Sequence, residues 1–342
     1  MAQPGDVERD RDTVLGIWSG NLGENHRMLA KYDWFYRHCP FGAPLLELLY
    51  HHPSGAWVGA CSIGRRRMLW QGREIRSGLL VDLAVLPRHR SLGPALMMQM
   101  GLIESAREHL DLTLGFPNPK AAAVFRRIRY DKFSDMVRRV RVLRHGPYLR
   151  RRVPSWLARP AGALLDLATT ARDSWRAPGS RGLDAQWSVR ATPDMDELWS
   201  RSLPGHGLLA VRDQAFARWR FDDSPLEEVR YLLVRDRRSG RLEAWFATDA
   251  TNGTLHVRDF WSSDAATAIG TRYVDALLRA ARRLGVTAIS LSMAGSPERV
   301  ASWVSRGFVE RSRRPVFGYW SKPPNQLPRD LDIHLTSADE DE

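Results

Sequence analysis

The chain has 342 residues, 43% of them apolar and 13 of them tryptophan, enough for two domains with packed cores. No apolar run approaches the ~18 residues of a membrane helix, and the first dozen residues are charged, without the apolar stretch of a secretory signal. Net charge is +12, but only four of the 51 basic residues are lysine; an arginine skew of that kind fits codon composition better than a selected phosphate-binding face, and with no zinc knuckle, RNP-like aromatic motif or helix-turn-helix, nucleic acid is not an expected partner.

The pattern opens with a helix carrying Val14–Trp18. Strands follow around Leu45–Tyr50, Ala56–Ile63 and Gly78–Val85, with a longer hairpin near Gly64 to Gly78. A turn at Arg90–Ala95 leads into a helix over Pro94–His109, then a strand at Leu112–Phe116, a short helix and a last strand. A Pro- and Arg-rich linker, residues 146–184, contains an amphipathic helix, Ala161–Trp175. Packing on one or both domains is its expected role. Peripheral contact with a membrane surface, assisted by the arginine run Arg138 to Arg152, is the less favoured alternative. The order then repeats: a helix with Met195–Trp199, strands at Val229–Val234, Leu242–Thr248 and Thr254–Trp261, a helix over Ala265–Leu284, a strand at Ala288–Ser292, a short helix and a last strand. The acidic tail, 323–342, is expected to be disordered. Strands alternating with helices predict an α/β class with a mixed sheet.

The repeat is also visible residue by residue. Tyr32-Asp33-Trp34 through Pro40 aligns with Ala217-Arg218-Trp219 through Pro225 at an offset of 185, which Gly55 and Gly240 keep. Ala123–Tyr130 aligns with Ala301–Phe308 at an offset of 178. Two modules follow, 1–145 and 185–322. Trp34 is expected in the core.

Val81-Asp82-Leu83-Ala84-Val85-Leu86-Pro87 is a strand that feeds a Gly-containing turn opening a helix, which is the construction of an anion site. The spacing Arg90-x-x-Gly93-x-Ala95 resembles the pyrophosphate loop of the GNAT superfamily, the acyl-CoA-dependent N-acyltransferases. Asn118-x-x-Ala121-x-x-x-Phe125-x-x-x-x-Tyr130 is similar to the family's next strand–helix unit. The resemblance implies two tandem GNAT-like domains and acetyl-CoA or another acyl-CoA as co-substrate. Binding would fall to Val85, Arg90, Ser91, Leu92, Gly93, Pro94, Ala95, Asn118 and Phe125. Arg90 would add charge or brace the turn. The backbone of Val85 would meet the thioester and pantetheine. Pro94 has no N–H to donate and would pre-set φ at a first helical position.

The implied reaction is direct attack of an amine on the thioester, most simply N-acetylation of a small-molecule or peptide amine. A larger donor, as in aminoacyl or long-chain acyl transferases of envelope or polysaccharide synthesis, and a non-catalytic acyl-CoA-binding protein are the alternatives. Asp82 is the candidate base; an ion pair to one of the many arginines is the competing reading. His89 is a second titrating group. Phe125 stands where the family often has a tyrosine that protonates the thiolate, which leaves water or Tyr36 to do so, or a slow transfer; Tyr130 matches the family's aromatic after Gly and is expected in the core, while Arg129 replaces that Gly. The second module lacks the loop, has Ser296 and Trp303 where the first has Asn118 and Phe125, and is expected to brace the first. Cys39 and Cys61 have no metal-type spacing and fit a reducing, cytoplasmic setting, and no metal motif is present.

Overall fold

The computed structural model describes residues 1–118, 121–149, 154–175, 178–202, 206–324 and 331–340. The first half runs β1 (Ala2–Gly5), α1 (Arg11–Trp18), α2 (Asn25–Lys31), β2 (Leu45–His51), β3 (Ala56–Trp70), β4 (Arg73–Val85), α3 (Leu92–His109), β5 (Leu112–Gly115), α4 (Ala122–Arg127) and β6 (Asp131–Val142). α5 (Gly146–Leu149) and α6 (Ser155–Trp175) connect it to the second half. There follow β7 (Leu183–Ser188), α7 (Asp194–Arg201), β8 (Leu208–Ala210), α8 (Gln214–Ala217), β9 (Arg230–Asp236), β10 (Leu242–Thr251), β11 (Thr254–Ser262), α9 (Thr271–Leu284), β12 (Ala288–Gly295), α10 (Pro297–Ser305), β13 (Val309–Trp320) and β14 (Ile333–Thr336).

The duplicated blocks adopt the same backbone. Tyr32–Arg37 and Arg218–Asp222 are both π-helical turns. Their tryptophans meet where the halves join: the Trp34 and Trp219 rings stack at 5.2 Å, and Trp34 Nε1 donates to the Trp219 carbonyl at 2.8 Å. Two buried arginines cover these rings, Arg66 on Trp219 and Arg220 on Trp34. α4 and α10 each end in a left-handed residue, Arg129 at φ +64 and Gly307 at φ +79. Helix α9 begins at Thr271, later than expected, because Gly270 precedes it in an extended conformation as its N-cap.

The halves are not beads joined by a linker. The sheet runs β1-β2-β3-β4-β5-β13-β6-β12-β11-β10-β9-β7. The last strand of the second half, β13, is antiparallel to both β5 and β6 and separates them, while β6 crosses to pair with β12. Off this path, β14 pairs with β12 and β8, and β8 with β3. The ladders therefore close a circuit of eight strands, β3-β4-β5-β13-β6-β12-β14-β8, and each of the eight contributes to the largest apolar cluster. The two modules share this core, so the boundary at 145 divides the chain but not the hydrophobic interior.

The expectation of a disordered tail is corrected by this circuit. Ile333 and Leu335 of β14 are buried in the shared core. The described acidic residues after it, Asp339 and Glu340, are paired: fully buried Arg212 lies 2.7 Å from Asp259 and 2.5 Å from Asp339, and Arg314 is ion-paired with Glu340. Composition alone read as solvation what is charge pairing at long sequence separation. The expected linker helix is present as α6, and among the described residues no helix is long and apolar enough to cross a membrane.

Two checks follow. Arg129→Gly removes a left-handed strain that a Cβ imposes, and thermal denaturation should show stabilisation of about 0.5–1 kcal/mol. Glu47, buried on β2 against Gly101 of α3, has its carboxyl pushed up to about 7 by desolvation. The unfolded chain releases that proton near 4.5 and the folded chain near 7, so its contribution is fully present below pH 4.5 and declines as pH rises through 7. Denaturant titrations should show Glu47→Gln gaining relative to wild type between pH 5 and pH 8; a constant difference would contradict this.

Candidate active site

β4 and β5 run parallel only from the Ser77–Leu112 pair to the Leu79–Leu114 pair. Beyond it they part, for two local reasons. β5 stops at Gly115 and the chain leaves through Phe116 and Pro117, which has no N–H for a ladder. β4 carries a bulge: Ala84 faces Ala60 and Val81 faces Ser62, so Asp82 and Leu83 together oppose Cys61. Asp82 takes φ +54 there, a left-handed conformation that Asp tolerates better than most residues. As alternation requires, Leu83 and Val85 pack with α3 while Ala84 faces the shared core; the bulge adds Val81 to the core side.

The parting opens a cleft of about 360 Å³ through the sheet. Gln99 of α3, Asn118, Ala121 and Phe125 line its α3–α4 side. Asp82, Arg314 and Glu340 line it as well. On β13, Val316 packs in the shared core and Phe317 with α4, so alternation puts Arg314 on the core side.

Asp82 is almost wholly buried and held from two directions. Lys31 Nζ, at the end of α2, donates to its Oδ1 at 2.7 Å. The Tyr36 hydroxyl lies 2.9 Å from Asp82 Oδ2 and 2.9 Å from Ser62 Oγ. One partner is thus a lysine, one of only four in the chain. Tyr36 is fixed by its neighbours, stacked on Tyr32 at 4.7 Å and edge-on to Trp18 at 5.2 Å. It is 1% exposed and does not line the cleft, so its hydroxyl orients Asp82 instead of facing the place of a leaving thiolate.

The candidate phosphate loop keeps its expected outline with different internal contacts. Ser91 precedes α3 without a side-chain cap, and Ser91, Leu92 and Gly93 are exposed at its start. Nothing lies within 4 Å of where a Gly93 Cβ would stand. Pro94 is the third helical residue, not the first, and Ala95 packs toward α4. Arg90 braces the turn: its Nε donates to the Val85 carbonyl at 3.1 Å, and its guanidinium also holds Asn21. The Val85 carbonyl is therefore engaged, and the cleft is lined by Leu80–Leu83 instead. Asn118 Oδ1 accepts from the Ala121 N–H at 3.0 Å, starting α4. Phe125 packs on Tyr130 and Phe317, and His89 lies at the turn beside His51.

Four lining or supporting residues were not anticipated: Lys31, Gln99, Arg314 and Glu340. Gln99 carried a signal, a polar residue on an apolar helix; it is 2% exposed and its Oε1 has no hydrogen-bond partner. The Oε1 of Glu340 is likewise buried and unpartnered. Arg314 and Glu340 carried none, because their place depends on β13 and the tail crossing to the first half.

The second half repeats the geometry and closes it. β11 and β12 run parallel up to the Val257–Leu291 pair and then part. A bulge again sits beside an acid, Asp259. Here β14 fills the gap by pairing His334–Thr336 with Met293–Gly295, and Thr336 Oγ1 donates to Asp259 Oδ1 at 2.8 Å. Asp259 is fully buried against Arg212, and its carboxyl is raised to about 6 by desolvation. Ser296 caps α10, accepting from the Arg299 N–H at 3.4 Å, three residues on as Asn118 accepts from Ala121, and Trp303 packs among Phe246, Phe260 and Phe308.

No family model matches the sequence, and no curated protein does. Solved structures match in fold. A protein of unknown function from Enterococcus faecalis V583, described as a probable N-acyltransferase, has a TM-score of 0.66 at 7% identity, over 94% of this chain and 72% of that one. A GCN5-related N-acetyltransferase from Anabaena variabilis ATCC 29413 has a TM-score of 0.64 at 10% identity, over 94% and 73%. A tandem GNAT protein from the clavulanic acid biosynthesis pathway has a TM-score of 0.54 at 13% identity, over 95% and 99%. The chain shares its fold with these proteins, the tandem GNAT protein among them.

Lys31→Met strands the buried Asp82 carboxylate. Denaturant unfolding should show a loss of about 3 kcal/mol, much of it restored in the Lys31→Met, Asp82→Asn double variant. Additive losses would contradict the coupling.

Proposed function

We propose that the first half is an acyl-CoA-dependent N-acyltransferase and that the second half is a structural partner without a donor site of its own. The observation that carries this reading is the placement of Asp82, at a left-handed bulge where β4 leaves β5 and a cleft passes through the sheet. The equivalent cleft of the second half is occupied by the chain's own β14.

The residues present suit an acyl-CoA. The exposed start of α3 offers backbone N–H groups and a positive helix end to the phosphates. The buried, unpartnered Gln99 Oε1 offers an acceptor to an amide N–H of the pantetheine arm. Arg90 contributes by holding the turn, since its guanidinium is engaged with Val85 and Asn21. The acceptor amine enters from the side of Asp82 and Arg314. Its nitrogen attacks the thioester carbonyl carbon, the C–S bond breaks, and the proton released from nitrogen passes to the Asp82 carboxylate, which Lys31 and Tyr36 hold in place. The thiolate takes its proton from water, because Phe125 has none to give and Tyr36 is turned away.

That last feature favours one other reading, a protein that binds acyl-CoA without turning it over. Two measurements separate them. Calorimetry with acetyl-CoA should show binding to wild type and a loss of at least about tenfold in Gly93→Glu, which sets a side chain and a negative charge at the start of α3. Asp82→Asn should keep binding and lose about 10²–10⁴-fold in turnover once an amine acceptor is supplied. Wild type that binds neither acetyl-CoA nor a long-chain acyl-CoA would overturn both readings.

A further inference from the structure

Helix α6 is set on the protein the wrong way round. Its inward side is polar: Asp166 accepts from His145 N at 2.8 Å and lies 2.7 Å from His145 Nδ1, and Asp173 lies 2.7 Å from Arg282 and 3.2 Å from Arg141. Gly162, also on that side, lets α5 approach so closely that a Cβ there would stand 2.7 Å from Gly146. These contacts fix the rotation of the helix and turn its apolar side outward. Leu157, Leu164, Ala168, Ala171 and Trp175 follow the spacing of one helical stripe, flanked by Leu165 and Leu167. Leu164 and Leu167 are 68% exposed and Trp175 is 84% exposed. Among the described residues, fifteen large apolar side chains stand out into solvent, and five of them are on this one helix. An amphipathic helix ordinarily buries that stripe.

The charge around the helix is as uneven as its apolar surface. Residues 144–181 contain eight arginines and two aspartates, half of the chain's net +12. Both aspartates are the ones paired inward. Between α6 and α9 lies a groove of about 320 Å³ lined by Arg181, Arg279, Arg282 and Arg283, with Asp173 and Asp275. Asp275 is taken by Arg306, at 2.5 Å. The groove therefore presents guanidinium groups beside an outward-facing row of leucines that ends in a tryptophan.

We propose that this face docks the protein on an anionic phospholipid surface, with the Leu164–Trp175 stripe lying in the headgroup boundary and the arginine groove meeting lipid phosphates. An apolar stripe alone fits a second copy of the chain equally well; the arginine excess decides for the lipid, because two copies would bring like charges together. The inference does not rest on the acyltransferase reading.

The test is co-sedimentation of the full-length protein with vesicles of phosphatidylcholine alone and of phosphatidylcholine with about one third phosphatidylglycerol, at low and high salt. Wild type should pellet with the anionic vesicles at low salt, at least about tenfold more than with the neutral ones, and be released by salt. Leu164→Glu with Leu167→Glu, and separately Arg283→Glu, should each weaken binding by about tenfold or more. Circular dichroism and sedimentation velocity on the same variants establish that they remain folded. Absence of binding to anionic vesicles at low salt overturns the proposal, as does undiminished binding of both variants. A wild-type dimer that Leu164→Glu with Leu167→Glu converts to monomer, without lipid binding, assigns the face to a second copy instead.

Discussion

The wall that completes the candidate site depends on one act of strand exchange. β5 has only four residues, Leu112–Gly115, and its free edge is filled by β13 from the other half of the chain. A sheet interior does not tolerate unpaired backbone groups, so the first module is complete only when the second has delivered its last strand. That strand then brings Arg314 to the cleft, while β6 is displaced one place outward to pair with β12. The shared core and the Arg314 wall of the cleft are consequences of that one crossing. Folding of the first half alone would leave β5 and β6 each with an open edge.

The two halves show how one backbone feature can be kept for two purposes. Both sheets part at equivalent pairs, Leu79–Leu114 and Val257–Leu291, and both carry an acid beside a bulge just beyond. In the first half the gap forms the cleft that Asp82 lines. In the second half β14 lies in the gap and Asp259 is sealed against Arg212, Thr336 and Asp339. Consecutive tail residues serve both: Asp339 is buried with Arg212 in the second half, and Glu340 reaches the cleft of the first. The C-terminal segment is thus a wedge that closes one module and furnishes the other.

The same economy governs the connection. α6 uses its charged residues to hold itself to β6 and α9, where ion pairs with Arg141 and Arg282 are partly shielded from water. Its leucines are left outside. Orienting a helix by its polar side costs the burial of its apolar side, roughly 1.5–3 kcal/mol for each large side chain left in water. A surface that recovers that energy is the simplest physical reason for the arrangement.

Local chemistry was legible in the chain itself. The duplication, the order of strands and helices, the exposed helix start at Ser91–Gly93 and a carboxylate, Asp82, within an apolar strand follow from spacing, turn residues and alternation, because each is set by neighbours a few positions apart. Even the departure at Arg129 was visible, as an arginine where the second repeat has Gly307. The destination of β13, the order of the tail and the partners of Asp82 were not. Lys31 is 51 residues from Asp82, Glu340 is 26 from Arg314, and Asp339 is 127 from Arg212. Patterning specifies which face of an element is apolar, but which element covers it is decided by closure of the whole sheet. For that reason the acidic tail read as disordered in one dimension, while its described residues Ile333–Glu340 pack into the protein in three.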